Sequence, residues 1–198
     1  RKPGIGKPHI LAIGSSTGGP QALFTFLEGL SPNIGVPVVI TQHMPETFTA
    51  ILAGHIARST NWPCSEAKEG DVLEPGKILL APGGYHMTIT GEGGKKVVRL
   101  NHNPPVNFCR PAVDPMLDSL ADVYGSNILV VILTGMGADG MKGSQKIVEA
   151  GGTVIAQDED TSVVWGMPGA VATAGLCSAV VPLEKMAETV TRSLGKVV

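Results

Sequence analysis

Short, unbroken aliphatic runs alternate along this chain with longer stretches in which apolar residues recur every three or four positions. His9–Gly14 (HILAIG), Val36–His43 (VPVVITQH), Lys77–Pro82 (KILLAP), Asn127–Gly135 (NILVVILTG), Gly152–Gln157 (GTVIAQ) and Ser178–Pro182 (SAVVP) read as strands. Pro20–Leu30, Glu46–Ser59, Pro111–Gly125, Asp139–Ala150 and Leu183–Leu194 carry helical spacing, with Pro20 suited to a first turn. His86–Asn101 holds two alternating runs around Gly91, Gly93 and Gly94, the pattern of an antiparallel hairpin. Continuous Val/Ile/Leu runs mark strands buried on both faces, as in parallel sheets covered by helices. The expected fold is three-layer α/β, a mainly parallel, doubly wound sheet of Rossmann-like topology with an antiparallel hairpin insertion. Its ligand site should lie where the carboxyl ends of the strands meet their loops.

Composition narrows the classes. A hydrophobic fraction of 43% in 198 residues supports a full core and excludes disorder. The longest aliphatic run, Ile128–Leu133, is too short to span a bilayer, so membrane insertion is not expected. A net charge of −2 supplies no basic field for nucleic acid. Cys64, Cys109 and Cys177 form no CxxC pair, and neither a zinc-binding cluster nor an HExxH motif is present, so no metal or cofactor is expected. Residues 1–8 (RKPGIGKP) have linker chemistry, and 9–198 read as one domain. The chain begins without Met, which reads as removal of something upstream. A soluble, cytoplasmic protein is expected.

Three strand ends carry unusual residues. Gly14-Ser15-Ser16-Thr17-Gly18-Gly19 lies between a strand and a helix, and Gly14, Ser16 and Gly18 give the G-x-S-x-G pattern of a nucleophile elbow. The Thr17 amide follows the serine near a helix N-terminus, where it can donate to an oxyanion. The same glycines also suit a phosphate cradle, although the Lys of a P-loop and the GxGxxG spacing are missing. His43 ends the second strand, and Asp139 lies among glycines after the most hydrophobic one. Alone, each is more often structural: a satisfied histidine, and an Asp capping its own helix. Together they supply nucleophile, base and orienting acid on one rim of a parallel sheet. Asp158, Glu159 and Asp160 are rival acids, but their crowding reads as a solvated turn.

The segments IGSSTGGPQAL, ITQHMPETF, APGGYHM, HNPPVNFCRPAVD and LTGMGADG, in that order, resemble the catalytic domain of the chemotaxis protein-glutamate methylesterase (CheB) family, from His9 to about Leu183. The resemblance implies Ser16 as nucleophile, His43 as base, Asp139 as acid and the Met136 amide as a second oxyanion donor. It implies hydrolysis of glutamate γ-methyl esters on methyl-accepting chemotaxis receptors, with methanol released, and in some members deamidation of receptor glutamines. It places His86 and Arg110 near the substrate groove. Met44, Met87, Met136 and Met167 are candidates for an adaptable apolar rim there, or for core filler. Family members usually carry an N-terminal receiver domain phosphorylated by a histidine kinase; the linker-like residues 1–8 and the missing Met read as its having been cut away here. Position 15 is Ser where the family often has Ala, so two adjacent hydroxyls must be told apart; elbow geometry favours Ser16. The competing functions are a nucleotide- or phosphate-binding module using GSSTGG and a small-molecule esterase.

Overall fold

The structure, a computed structural model, describes residues 1–196; the last two positions of the expected 9–198 domain lie outside the described residues. Seven strands form one wholly parallel sheet: β1 (Ile10–Ser15), β2 (Val38–Gln42), β3 (Cys64–Glu66), β4 (Ile78–Leu80), β7 (Ile128–Ile132), β8 (Thr153–Gln157) and β9 (Ala179–Val181). Their spatial order is β3-β4-β2-β1-β7-β8-β9. β5 (His86–Glu92) and β6 (Lys95–Asn101) make a separate antiparallel hairpin with His86 opposite Asn101 and Glu92 opposite Lys95.

The strands β1, β2, β7 and β8 are buried at every position, which explains why their sequences are continuous rather than alternating. The period of two instead divides the core between the faces. Leu11 and Ile13 of β1 point to the layer of α1 (Gly19–Glu28), α2 (Phe48–Ser59) and α6 (Leu183–Ser193), through Leu23, Phe26, Ile56 and Met186. Ile10 and Ala12 point to α3 (Val113–Tyr124), α4 (Met141–Glu149) and α5 (Met167–Thr173), through Met116, Leu117, Ile147 and Val171. The hairpin packs on α3, where Ser119 Oγ accepts from the Ile89 amide at 2.9 Å.

Three elements escaped the sequence reading, one of them the single 3-10 turn Pro32–Ile34. β3 has three half-buried residues, too few to show a period, and α5 is a short MPGAVAT helix of small residues. α2 starts at Phe48 rather than Glu46 because Thr47 sits at φ 72°, outside the helical region. No helix or strand precedes Ile10, but the first residues touch the amino-terminal end of the sheet: Gly4 N donates to Thr153 Oγ1 at 2.8 Å and Asn127 Nδ2 to Lys7 O at 2.8 Å.

β1 is the switch point, with β2 on one side and β7 on the other. Connections leaving it diverge, and a crevice opens at the carboxyl ends of these central strands.

Candidate active site

The register of β1 and β2 decides the first pairing. Ser15 lies opposite Gln42, and His43 N donates to Ser15 O at 3.0 Å. The next residue of each strand, Ser16 and His43, therefore stand side by side where the sheet ends. The two elbow glycines do different jobs. Gly18 takes the left-handed turn at φ 80°, while Gly14 is extended strand: a Cβ there would stand 2.8 Å from Val113 Cγ2 of α3. Ser16 N donates to Thr134 O at 3.0 Å, and Thr134 Oγ1 donates to Thr17 O at 2.9 Å, which fastens the serine turn to the loop after β7.

Gln42 was missed by the sequence reading, although a glutamine ending an apolar strand is itself a signal. Fully sequestered, its Nε2 donates to Ser16 O at 2.8 Å and to His43 O at 3.2 Å, so one amide grips the main chain of both residues. Its Oε1 accepts from Ser15 Oγ at 2.5 Å. Ser15 is buried and spent on this bond, so the free hydroxyl of the pair is that of the half-buried Ser16.

Asp139 is 1% exposed and receives four donors. Oδ2 accepts from His43 Nε2 at 2.6 Å and Val113 N at 2.6 Å. Oδ1 accepts from Asn107 Nδ2 at 2.8 Å and Asp114 N at 3.0 Å. Burial pushes its carboxyl up, but the bonds from His43 and from the Val113 and Asp114 amides, with the imidazole charge, outweigh burial and hold it below the ordinary value. An ionised carboxylate only accepts, so His43 Nε2 carries the proton and Nδ1 is the ring's free lone pair. The reading that Asp139 would cap its own helix does not hold: the N-cap residue of α4 is Gly140, which has no side chain to cap with, and Asp139 instead holds the first amides of α3. Asp158 accepts from Thr161 N and Oγ1 within its own turn, which removes it as a rival acid.

Among the described residues Ser16 Oγ has no hydrogen-bond partner, and the amides of Thr17 and Met136 donate to nothing. A cavity of about 260 Å³ opens beside His43, lined by Met44, Pro45, Phe108, Cys109, Arg110 and Pro111. Arg110 thus reaches the site's wall, its Nη1 donating to the carbonyls of His102 and Asn103 at 3.2 and 3.3 Å. His86 does not reach the groove, and that expectation is corrected: it is 1% exposed, with Nδ1 accepting from Ala112 N at 3.3 Å and Nε2 donating to Pro104 O at 3.0 Å. Both ring nitrogens are consumed in tying the 102–110 loop to the start of α3. Of the four methionines, Met87 and Met167 are fully buried core, whereas Met44 lines the cavity and Met136 is largely exposed. Burial first and the Asp139 charge second push the Cys109 thiol up, which disfavours the thiolate there.

A free hydroxyl beside an imidazole, a buried carboxylate on that imidazole, and unspent amides at the rim of a parallel sheet are the groups with which an α/β protein can perform acyl transfer. Residues 11–190 match the CheB methylesterase family, and the chain belongs to it. Among its relatives is the protein-glutamate methylesterase/protein-glutamine glutaminase 1 of Paramagnetospirillum magneticum, 62% identical over 181 residues, covering 91% of this chain and 48% of that protein. The protein of the same name from Rhodospirillum rubrum is 58% identical over 192 residues, covering 96% of this chain and 50% of that protein. The chain thus spans about half the length of these curated relatives. The crystal structure of the Thermotoga maritima CheB methylesterase catalytic domain is similar at TM-score 0.91 and 41% identity, covering 93% of this chain and 98% of that one.

Proposed function

We propose that this chain is a serine hydrolase that demethylates glutamate γ-methyl esters on chemoreceptor helices and deamidates receptor glutamines. The observation that carries the reading is the His43–Asp139 hydrogen bond of 2.6 Å standing next to the free Ser16 hydroxyl. Ser16 Oγ attacks the ester carbonyl and passes its proton to His43 Nδ1, because Nε2 is committed to Asp139. The buried carboxylate stabilises the imidazolium so formed. The unspent amides of Thr17 and Met136 receive the oxyanion; losing one such donor typically costs about 10²–10³ in rate. His43 returns the proton to the leaving methoxide oxygen, releasing methanol, or to the leaving amide nitrogen when the substrate is a glutamine side chain, releasing ammonia. A water, deprotonated by the same nitrogen, then cleaves the acyl-enzyme and leaves a glutamate carboxylate.

A protein substrate is supported by the surroundings of the site. Phe108 is fully exposed at the cavity wall, and Met136 and Val163 are exposed on the other side of the serine turn, where Val163 crowds Gly18. An amphipathic receptor helix offers an apolar stripe to cover them. No helix among the described residues is long and apolar enough to cross a membrane, and the reading puts the chain in the cytoplasm, with control through the kinase-phosphorylated receiver domain that the family resemblance implies. The phosphate-cradle alternative is weakened because Gly19 N is already spent on Ser16 O.

Methanol release from methylated chemoreceptor tests the proposal. The parent chain should release methanol and be labelled by a fluorophosphonate, and Ser16→Ala should lose both, with activity down about 10³-fold or more. A folded parent that releases no methanol and ignores the reagent would overturn it.

A further inference from the structure

Asp139 is held from its far side by a tight turn that the reaction itself does not use. Val106 and Cys109 exchange backbone bonds, Val106 N to Cys109 O at 3.0 Å and Cys109 N to Val106 O at 2.9 Å. The central residues, Asn107 (φ 52°) and Phe108 (φ 64°), both lie in the left-handed region. Asn is one of the residues that tolerate this region but Phe is not, so the turn is held against the backbone preference of Phe108. The side chain of Asn107 supplies the restraint: its Nδ2 donates to Asp139 Oδ1 at 2.8 Å and to Asp114 Oδ2 at 2.9 Å. Both partners are carboxylates, which fixes the amide with its nitrogen toward them.

Asp114 completes the frame. Its Oδ1 accepts from Gly140 N at 3.0 Å and Gly143 N at 2.7 Å in the first turn of α4. Asp139, just before α4, accepts from Val113 N and Asp114 N in the first turn of α3. Each carboxylate therefore caps the helix that carries or follows the other, and Asn107 ties the two. Two donors on Oδ1 leave Oδ2 facing His43, and turning the carboxylate away from the ring has to break both of them.

We propose that Asn107 and Asp114 are positioning residues, which fix the plane of the Asp139 carboxylate and through it the proton and orientation of His43. The role rests on the esterase reading only where activity is the readout. Asn107→Gly is the clean variant, since glycine keeps the left-handed turn and deletes only the amide. Expected is a kcat for methanol release about tenfold lower, as for loss of the charge-assisted bond to Asp139, with KM close to the parent's and a melting temperature lowered by the two bonds lost to Asp139 and Asp114. The far-downfield proton resonance of His43 Nε2–H should shift or broaden in the same variant. Asp114→Asn keeps an oxygen for the α4 amides but turns an NH2 on Asn107, forcing the latter to present its oxygen to Asp139; its kcat should fall further than that of Asn107→Gly. A folded Asn107→Gly with kcat within twofold of the parent and an unmoved resonance overturns the proposal. If the parent itself releases no methanol, the esterase reading falls, and the resonance alone then decides: movement in Asn107→Gly supports positioning and an unchanged signal overturns it.

Discussion

Replacing Asp139 by Asn changes one atom and forces a choice that the structure lets us work through. The carboxylate serves four donors with two oxygens: His43 and Val113 on Oδ2, Asn107 and Asp114 on Oδ1. An amide has one oxygen. If that oxygen faces His43, the new NH2 meets the Asp114 amide and the Asn107 NH2, and Asn107 cannot turn over without pointing its own oxygen at the Asp114 carboxylate. If it faces Asn107 and Asp114 N, only the Val113 amide is orphaned, because His43 can respond by moving its proton to Nδ1 and accepting at Nε2. The second arrangement leaves fewer conflicts, and it puts the proton on the nitrogen that must act as base. The expected loss of kcat is about 10⁴-fold, the size that a wrong tautomer produces in a serine triad, or about 5.4 kcal/mol at 1.36 kcal/mol per tenfold. The orphaned Val113 amide costs about 1–3 kcal/mol of stability. The sign with pH follows from the depressed pKa of Asp139: its stabilisation is complete above the ordinary value of 3.8 and is lost as the pH falls through its lower folded value. The variant lacks that group, so the melting temperatures of parent and variant should converge on strong acidification. The assays are methanol release at saturating methylated receptor and thermal unfolding between neutral and strongly acidic pH. A folded Asp139→Asn that keeps more than a tenth of the parent's kcat refutes the assignment of tautomer and acid together.

Ser15→Ala removes the donor from a buried Gln42 oxygen; unfolding should show a loss of about 1 kcal/mol while methanol release stays within a few-fold of the parent. Gln42→Leu releases the main chains of Ser16 and His43 and the Ser15 hydroxyl at once, and three lost bonds at about 0.5–1.5 kcal/mol each should lower stability measurably and kcat by roughly tenfold or more in the same methanol assay. Phe108→Ala trims the fully exposed ring at the cavity wall; titration with methylated receptor should give a higher KM, and an unchanged KM would remove Phe108 from the docking surface.

The residues themselves settled a good deal. Unbroken aliphatic runs such as ILVVI, and VIA within TVIAQ, are the pattern of strands covered on both faces, so the parallel three-layer design was legible in the hydrophobic pattern. Ser16 and Asp139 announced themselves because glycines around a polar residue at a strand end are an unusual local arrangement, and His43 because a histidine interrupts an apolar run. What could not be read locally was set by who meets whom across the fold. The register of β1 on β2 puts Ser16 beside His43 and commits Gln42 to both, although Gln42 carries no motif. His86 stands in a segment that resembles a groove residue, yet burial against Pro104 and Ala112 makes it structural. Asn107 and Asp114 lie in a loop and on a helix separated from Asp139 by more than a strand of sequence, and only the packing of α3 against α4 turns them into its support. Periodicity and local turn chemistry are properties of neighbours along the chain, so sequence carries them. A carboxylate's orientation depends on hydrogen bonds closed by tertiary contact, so only the folded structure decides it.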